Sequence, residues 1–335
     1  MKVDWFREVN SDNGEQSPPL PKFEDAADLI AHEMLIPPEI IEGVLHQGSK
    51  LALGGSSKSY KTHLLIDLAV GVALGIGWLG FQTVQARVLY INLEIERPFF
   101  WRRLRKICKR RNIRIPEGVL DIWNLRGHEL SIQTLKEKLL AWIRAGDYAL
   151  IVIDPIYKLY GEENETREIK SVLAALERLA RELACAVAWA AHFSKGNQAD
   201  KAAIDRISGS GVWGRDPDSI LTFTRHEQDD CFIVEAVLRN FAALEDFTVK
   251  FDDGLVERVN GLDPTKFKKK AGGRKRRYSA QQLADLLGSQ ELSTAKFQKL
   301  AHDELGMVSS TFYDLIAEPE TLKFVWRDKV SGVWE

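Results

Sequence analysis

The sequence contains few cysteines and no long apolar run that is free of charge. Its three cysteines, Cys108, Cys185 and Cys231, lie far apart and form no CxxC pair. This spacing argues against a zinc site and against a disulfide framework, and it fits a reducing cytosol. The longest apolar stretch, residues 64–81, contains Asp67 and several glycines, which favours a buried helix and a Gly-rich turn over a membrane span.

Two further absences concern targeting and net charge. The N-terminal residues contain no apolar h-region, so we expect no signal peptide and a cytoplasmic protein. The formal net charge of −2 at pH 7 gives no overall indication of a polyanionic partner. Hydrophobic residues make up 45% of the 335 residues and charged residues 28%, which is ordinary for a globular protein and argues against general disorder.

The pattern along the chain predicts a large α/β domain after an N-terminal arm. Residues 1–35 are expected to form a polar arm with a Pro-rich linker and then a short helix over about residues 23–34. Residues 36–260 alternate short apolar runs with longer amphipathic segments, which predicts a mainly parallel sheet flanked by helices. After Arg225 we expect hairpin strands that extend this sheet in antiparallel fashion. The expected parallel strands are residues 50–54, 87–93, 149–154, 186–193 and 219–225, and the expected helices are residues 61–75, 97–111, 131–144 and 166–183.

A composition break separates the large domain from a smaller C-terminal unit. Residues 261–278 form a strongly basic linker that contains glycine. In the following segment, residues 279–335, helices are expected near residues 279–287, 293–304 and 309–316, with a β-hairpin at residues 322–328 and 332–335. Three helices followed by a hairpin are the arrangement of a winged-helix domain.

A phosphate-binding loop is expected directly after the first parallel strand. In the pattern G-x-x-x-x-G-K-[ST], backbone N–H groups surround the phosphates, the lysine reaches their oxygens and the hydroxyl binds Mg²⁺. Gly55, Lys61 and Thr62 are in register, but Tyr60 replaces the second glycine. The alternative is a Ser/Gly turn with a coincidental Lys-Thr pair. The predicted nucleotide contacts are Gly55, Ser56, Ser57, Lys58, Ser59, Tyr60, Lys61, Thr62 and His63.

Three later strands each end in a polar side chain. Asp154 ends a hydrophobic strand, as a Mg²⁺-binding carboxylate of a Walker B motif does, although such an aspartate can also only cap the next turn. Glu94 follows another strand and is the expected general base for the attacking water, with Glu96 as a competing choice. His192 ends a third strand. Ligands of such sheets bind at the carboxyl ends of the strands, which favours a functional over a structural histidine.

The sequence resembles the RepA-type branch of the RecA/DnaB-like hexameric ATPases of plasmids and mobile elements. The resemblance covers residues 36–260 and rests on five motifs in order: G-x-x-K-x-x-K-T, a strand ending in L-E, V-I-D-P-I-Y-K-L, A-H-F-S-K and R-I-S-G-S-G-V-W-G-R-D-P-D. It implies a RecA-like P-loop NTPase fold, ATP and Mg²⁺ as ligands, and a homo-oligomer that we expect to be a hexamer.

The same resemblance implies roles for single residues. Lys61 and Thr62 would bind phosphate and Mg²⁺, and Asp154 would hold the metal through water. Glu94 would be the base and His192 would sense the γ-phosphate. Arg206 or Arg215 would reach a neighbouring subunit's nucleotide as an arginine finger. Against this, a loop arginine is often solvated or paired, and Arg215 has Asp216 and Asp218 beside it.

Several basic segments are candidates for contact with DNA. The linker residues Lys275, Arg276 and Arg277 would neutralise phosphates beside the winged helix. In a ring, the polar loops with Lys195 and Lys201 would face the channel and follow single-stranded DNA. On the third C-terminal helix, Ser310 and Tyr313 are suited to phosphate or base-edge contacts. The basic cluster at residues 102–111 is interpreted first as a charged outer or intersubunit face, with DNA binding as the alternative.

These observations predict an ATP-hydrolysing, DNA-acting oligomeric motor, a RepA-like replicative helicase of a plasmid or mobile element. One rival is an ATP-switched DNA-binding initiator or regulator that does not separate strands, which slow turnover caused by Tyr60 would favour. A small-molecule P-loop kinase is a second rival, but the sequence offers no acceptor site for it.

Overall fold

The computed structural model describes residues 22–160, 166–193, 213–268, 278–317, 321, 324–328 and 331–334. The chain forms two compact units, Met1–Lys269 and Lys270–Glu335. In the large unit the helices are α1 (Ala26–Ala31), α2 (Lys61–Leu74), α3 (Arg97–Arg111), α4 (Ile132–Trp142) and α5 (Thr166–Glu182), with a 3₁₀ helix at Ile156–Leu159. Its strands are β1 (Glu39–Ile41), β2 (Leu45–His46), β3 (Lys50–Gly55), β4 (Val88–Asn92), β5 (Leu120–Asn124), β6 (Leu150–Asp154), β7 (Ala186–His192), β8 (Ser219–Arg225), β9 (Cys231–Leu238), β10 (Phe247–Asp252) and β11 (Leu255–Val259).

A nine-stranded sheet in the order β11-β10-β9-β8-β3-β7-β6-β4-β5 forms the centre of the large unit. The six strands from β8 to β5 run parallel, because each of their pairings is parallel. From β8 onward the pairing is antiparallel through β9, β10 and β11. The predicted α/β class, the mainly parallel sheet and its antiparallel extension are therefore confirmed.

Helices cover both faces of this sheet. On one face the apolar residues of α2, among them Leu64, Leu68 and Val72, pack into a core with the side chains of β3, β4 and β6. On the other face α4 and α5 contribute Leu135 and Leu176 to a second core. Strands buried on both faces read as continuous apolar runs, which is why these strands were visible in the sequence. The apolar run from residue 64 to residue 81 is explained by the buried helix α2 and the turn after it.

Three short elements differ from the sequence expectation. The edge strand β5 was not predicted, since its sequence Leu-Asp-Ile-Trp-Asn is only half-buried and mixes polar with apolar residues. The small hairpin of β1 and β2 was also missed, because two or three residues give no readable period. The N-terminal helix, expected over residues 23–34, is only six residues long.

The C-terminal unit contains α6 (Ala280–Leu287), α7 (Thr294–Leu305) and α8 (Ser309–Ile316), with β12 (Leu292–Ser293) paired antiparallel to β13 (Val333–Trp334). Ser279 and Gln282 form a capping box that starts α6. The core of this unit includes Leu283, Phe297, Phe312 and Trp334. The three predicted helices are confirmed. The predicted hairpin lies partly outside the described residues, so the winged helix stays a prediction.

Within the described part of the chain, no helix is both long enough and apolar enough to cross a bilayer.

Candidate nucleotide-binding site

The parallel pairing brings the predicted strand ends to one edge of the sheet. Gly55 at the end of β3 is in register with His192 at the end of β7. Asn92 at the end of β4 is in register with Asp154 at the end of β6. Leu93 N–H donates to the Asp154 carbonyl at 2.9 Å, which ties the segment carrying Glu94 to the neighbouring strand. Gly55, Asp154 and His192 therefore end adjacent strands, and Glu94 follows within two residues of the fourth.

The loop between β3 and α2 folds tightly over the end of its strand. A Cβ atom on Gly55 would lie 2.4 Å from the Ser59 Oγ, so only glycine fits there without movement. The Ser59 hydroxyl donates to the Ser56 carbonyl at 2.8 Å and closes the turn. Helix α2 then begins at Lys61. Its first N–H groups have no helical partners, and they form the kind of anion site that phosphates occupy.

Lys61 is buried at this helix start, with 7% of its surface exposed. Its ammonium donates to the carbonyls of Gly55 at 2.8 Å and Ser56 at 2.9 Å, both in its own loop. Burial lowers the pKa of Lys61 to about 8, and attraction to Asp154 and Glu94 offsets only part of that effect. A buried cation whose bonds go to neutral oxygens can still gain from an anionic ligand.

Asp154 is buried beside the same helix start and is held by two hydroxyl groups. Tyr90 Oη donates to Asp154 Oδ2 at 2.8 Å, and the Thr62 hydroxyl also donates to this carboxylate. Burial raises the pKa of Asp154, while the two hydrogen bonds and the charge of Lys61 act in the opposite direction. The carboxylate is thus oriented by β4 and placed against the hydroxyl that is expected to bind Mg²⁺.

Glu94 lies at the exposed side of the site, next to the β4 end. The Asn92 side chain holds the turn after β4, since its amide donates to the Ile95 carbonyl at 2.6 Å and its oxygen accepts from the Ile95 N–H at 3.0 Å. Tyr157 Oη donates to Glu94 Oε1 at 2.9 Å. Glu96, the competing base, directly precedes α3, and its carboxylate instead lies 3.3 Å from Arg126 Nε. Of the two carboxylates, only Glu94 acts on the pKa of both Lys61 and Asp154.

His192 ends β7, the strand that pairs with β6. Its ring centroid is 5.5 Å from that of Tyr157, which also bonds Glu94. Phe193 N–H donates to the Gly55 carbonyl at 3.1 Å, so the chain after His192 is joined to the start of the phosphate loop. Tyr157 therefore contacts both polar strand-end residues, one through its hydroxyl and one through its ring.

Tyr60, which stands where the loop pattern has glycine, adopts the left-handed backbone conformation with φ of 58°. This conformation costs a non-glycine residue about 1 kcal/mol. The Tyr60 ring stacks on Phe251 with centroids 3.5 Å apart and packs edge-on to Phe232. Its hydroxyl donates to Asp230 at 3.3 Å. The antiparallel strands β9 and β10 thus supply the contacts that hold the tyrosine in the conformation usual for glycine.

His63 differs from the other residues expected to contact nucleotide. Its ring packs edge-on to Phe251 at 5.2 Å and to Tyr60 at 5.9 Å. Burial, then the charges of Arg103 and Lys106, lower the pKa of His63 to about 4. The ring is therefore neutral at pH 7 and belongs to the aromatic cluster under the loop.

Comparison with known families bears on this site. A family model described as AAA domain matches residues 16–198, more than half of the chain. The chain belongs to this family. The matched region includes Lys61, Glu94, Asp154 and His192.

Among solved structures, one described as an ATPase domain is similar to this AAA domain protein. The TM-score is 0.48 at 16% sequence identity, and the match covers 64% of this chain and 85% of that one. No curated protein matches the chain.

The donor set of the AAA domain suits Mg²⁺ with a nucleoside triphosphate. Magnesium is held by one or two protein oxygens together with phosphates and water, and Thr62 and Asp154 offer such a pair. Among the described residues, no group of three or more His, Cys, Asp or Glu side chains forms a metal cage. The buried carboxylate, the adjacent hydroxyl and the buried ammonium of Lys61 therefore fit Mg-ATP.

The predicted arginine-finger and DNA-contact residues are only partly described. Arg215 is exposed and lies just before β8, at the opposite edge of the sheet from the phosphate loop. The two expected partners of Arg215 are engaged elsewhere, because Asp216 pairs with Lys50 and Asp218 lies 3.8 Å from Arg239. Ser310 and Tyr313 are exposed on α8. The remaining predicted residues, Arg206, Lys195, Lys201, Lys275, Arg276 and Arg277, lie outside the described residues.

Four contacts of the site were not predicted from the sequence. Tyr90 and Asn92 are polar groups within a buried strand, a placement that signals a hydrogen-bonding role. Tyr157 lies three residues after Asp154, inside a motif already singled out. Phe251 gave no signal, because its contact with Tyr60 joins residues that are far apart in the sequence.

Proposed function

We propose that the protein is a Mg²⁺-dependent ATPase that acts on DNA as an oligomeric motor, a helicase of the kind that replicates plasmids or mobile elements. One observation carries the proposal. Lys61, the Thr62–Asp154 pair and Glu94 lie at the carboxyl edge of one parallel sheet, where β3, β7, β6 and β4 end side by side. Membership of the AAA domain family supports the ATPase part of the proposal.

We assign each residue the role that its surroundings support. The N–H groups of the loop and the Lys61 ammonium bind the phosphate oxygens and balance their charge. Thr62 and Asp154 would hold Mg²⁺, Asp154 through water, and the ion would supply positive charge against those oxygens. Glu94, whose carboxylate is oriented by the Tyr157 hydroxyl, accepts the proton of the attacking water. His192, at the end of β7, would sense the terminal phosphate.

Assembly and DNA contact belong to the proposal as well. We infer a hexameric ring with ATP between subunits, in which Arg206 or Arg215 reaches the neighbour's nucleotide. Arg215 is exposed, forms no ion pair with a residue that the structure describes, and precedes β8, at the opposite end of the parallel strands from its own phosphate loop. Lys195 and Lys201 would follow single-stranded DNA in the channel. Lys275, Arg276, Arg277, Ser310 and Tyr313 would contact duplex DNA through the linker and the winged helix.

The test compares the two neighbouring carboxylates. Glu94→Gln should lower the rate of ATP hydrolysis by about 100-fold or more, as expected for loss of a general base, and leave ATP affinity nearly unchanged. Glu96→Gln is the matched control and should hydrolyse ATP at close to the wild-type rate. A steady-state phosphate-release assay, with ATP binding followed by fluorescence, measures both. The assignment is wrong if Glu96→Gln shows the large loss and Glu94→Gln does not.

The second candidate is an ATP-switched initiator or regulator that binds DNA without separating strands. Tyr60 favours the initiator, since a phosphate loop that is held by the stack of Tyr60 on Phe251 would bind ATP but hydrolyse it slowly. Turnover stimulated by single-stranded DNA, together with strand displacement, supports the motor. Tight binding to a duplex site with no stimulation supports the initiator.

A further inference from the structure

Helix α3, which begins three residues after Glu94, carries charges of one sign only. Its 15 residues, Arg-Pro-Phe-Phe-Trp-Arg-Arg-Leu-Arg-Lys-Ile-Cys-Lys-Arg-Arg, include eight basic side chains and no acidic one. Only Phe100 and Ile107 are buried. Eight cations on one surface helix repel one another unless acids of other elements or an anionic partner balance them.

Three of these cations are bound by acids of the large unit. Arg111 Nη2 donates to the buried Asp67 of α2 at 2.7 Å. Arg110 Nη2 lies 2.7 Å from Asp252 at the end of β10, and Lys106 pairs with Asp253 in the following turn. These bonds fix one side of the helix against α2 and the β10–β11 turn.

The opposite side of α3 presents cations that have no such partner. Trp101, Arg105 and Lys109 follow one another at four-residue spacing, and Arg102 lies beside them, so the four share one surface of the helix. We call them the α3 face. Arg102, Arg105 and Lys109 form no ion pair with any residue that the structure describes, and all four side chains are exposed.

An aromatic ring lies open to solvent among these cations. Trp101 is 56% exposed. The Arg105 guanidinium lies 5.1 Å from the centre of the Trp101 ring, so a flat cation and a flat indole already stand together. The Trp101 ring therefore presents an open face beside several cations.

We propose that the α3 face binds single-stranded nucleic acid, with phosphates on Arg102, Arg105 and Lys109 and a base stacked on Trp101. An aromatic ring that accepts a base of any type, set beside several cations, is a common means by which proteins hold single strands without sequence preference. The face extends about 12 Å along the helix axis, enough for about three nucleotides. The inference rests on the proposed function and adds to the channel loops a DNA contact on the helix that follows Glu94.

A protein partner fits this surface less well. Contacts between proteins are depleted of lysine and of charge in their centre, although arginine and tryptophan are enriched there. A protein partner is therefore disfavoured by the density of like charge that Arg102, Arg105 and Lys109 present. An acidic protein that met the face would have to supply three carboxylates at matching positions. A nucleic-acid strand supplies its charges at regular intervals along its whole length.

The test uses the full chain and a fluorescent oligothymidylate of 20 nucleotides. The affinity of the protein for this strand is measured by fluorescence anisotropy in the absence and presence of Mg-ATP. Trp101→Ala should weaken binding about 5-fold or more, as expected for loss of one stacked base. The triple variant Arg102→Ala/Arg105→Ala/Lys109→Ala should weaken binding further. It should also reduce the magnitude of the negative slope of log affinity against log salt by about 2. Trp142→Ala is the matched control, since Trp142 on α4 is 64% exposed and has the Lys138 ammonium 5.2 Å from its ring.

A second measurement leaves the chain unaltered. Photo-crosslinking of wild-type protein to a bromouracil oligonucleotide should give adducts on the peptides of α3. The proposal is overturned if all variants bind as wild type, or if Trp101→Ala and Trp142→Ala weaken binding equally. It is also overturned if the α3 variants change only the oligomeric mass, which would make the face a protein contact. If the wild-type protein does not bind Mg-ATP, the ATPase assignment is refuted, but the assignment of the α3 face is not.

Discussion

Strand β3 has a buried lysine at its start and another directly after the loop at its end, and the two have opposite surroundings. Lys50 is 3% exposed and Lys61 is 7% exposed. The Lys50 ammonium lies 2.6 Å from Asp216 and 2.7 Å from Glu177. The Lys61 ammonium donates instead to two backbone carbonyls of the phosphate loop.

The pKa values of the two lysines shift in opposite directions. Burial disfavours the charge of Lys50, but hydrogen bonds and attraction from Asp216 and Glu177 outweigh it, so the pKa of Lys50 is raised. At Lys61 burial outweighs the attraction of Asp154 and Glu94, so the pKa of Lys61 falls to about 8. With similar burial, one charge is satisfied by the protein and the other is left for a ligand. This difference separates a structural lysine from a binding one better than burial does.

The largest effect expected from this comparison is on nucleotide binding. Lys61→Met should weaken Mg-ATP binding by about 100-fold or more, because it removes a charge-assisted contact with the phosphates from a dry site. Lys50→Met should bind Mg-ATP within about 3-fold of wild type, since its charge is satisfied at the other end of the strand. Isothermal titration calorimetry with both variants measures the difference. Equal losses would mean that Lys50→Met disturbs the loop through the strand, and the contrast between the lysines would fail.

The second effect is on stability and should run in the reverse order. Lys50→Met leaves Asp216 and Glu177 without their cation and should lower the free energy of unfolding by about 2 kcal/mol, less than for a fully buried pair because both carboxylates are partly exposed. Lys61→Met should not lower it, because a pKa below the ordinary value means that the charge opposes folding at pH 7. Urea denaturation of the nucleotide-free proteins gives both values. A Lys61→Met variant less stable than Lys50→Met would contradict the assignment.

The sequence was sufficient for the parts of this arrangement that depend on neighbouring residues. A strand, a Gly-to-Lys-Thr spacing and an apolar helix predicted the phosphate loop, and continuous apolar runs predicted the parallel strands. The partners of Lys50 were not predictable, because Asp216 and Glu177 reach it from elements more than 120 residues away along the chain. The Tyr60–Phe251 stack is hidden for the same reason. Edge strand β5 was missed because half-burial removes the apolar pattern.

A third effect concerns pH and follows from the pKa of Lys61. The protonated ammonium is the form that binds phosphate, so Mg-ATP affinity should be constant below pH 7.5 and fall as the pH rises through about 8. At pH 9 the loss should be roughly 10-fold, because the protonated fraction falls about tenfold for each pH unit above the pKa. Lys61→Arg is the control, since arginine stays charged over this range. A wild-type profile as flat as that of Lys61→Arg would show that the lysine keeps its ordinary pKa.

The smallest effect isolates the backbone cost of Tyr60. Tyr60→Gly loses the stack on Phe251, but glycine adopts a φ of 58° freely. Tyr60→Ala loses the same stack and keeps the penalty for a side chain in the left-handed conformation. The alanine variant should therefore be less stable than the glycine variant by about 1 kcal/mol. Denaturation midpoints of the two variants and the wild type give this difference.

The wild-type value then tells what the aromatic cluster contributes. If the stack offsets the strain, wild type and Tyr60→Gly should have similar stability, because an aromatic pair contributes about 1 kcal/mol beyond its buried area. Phe251→Leu in the wild-type background should reproduce part of the Tyr60→Ala loss, since it removes the stack but leaves the tyrosine strained. Equal stability of Tyr60→Ala and Tyr60→Gly would mean that the loop relaxes out of the left-handed conformation. In that case the contacts of Tyr60 with the antiparallel strands would not be the cause of the loop's conformation.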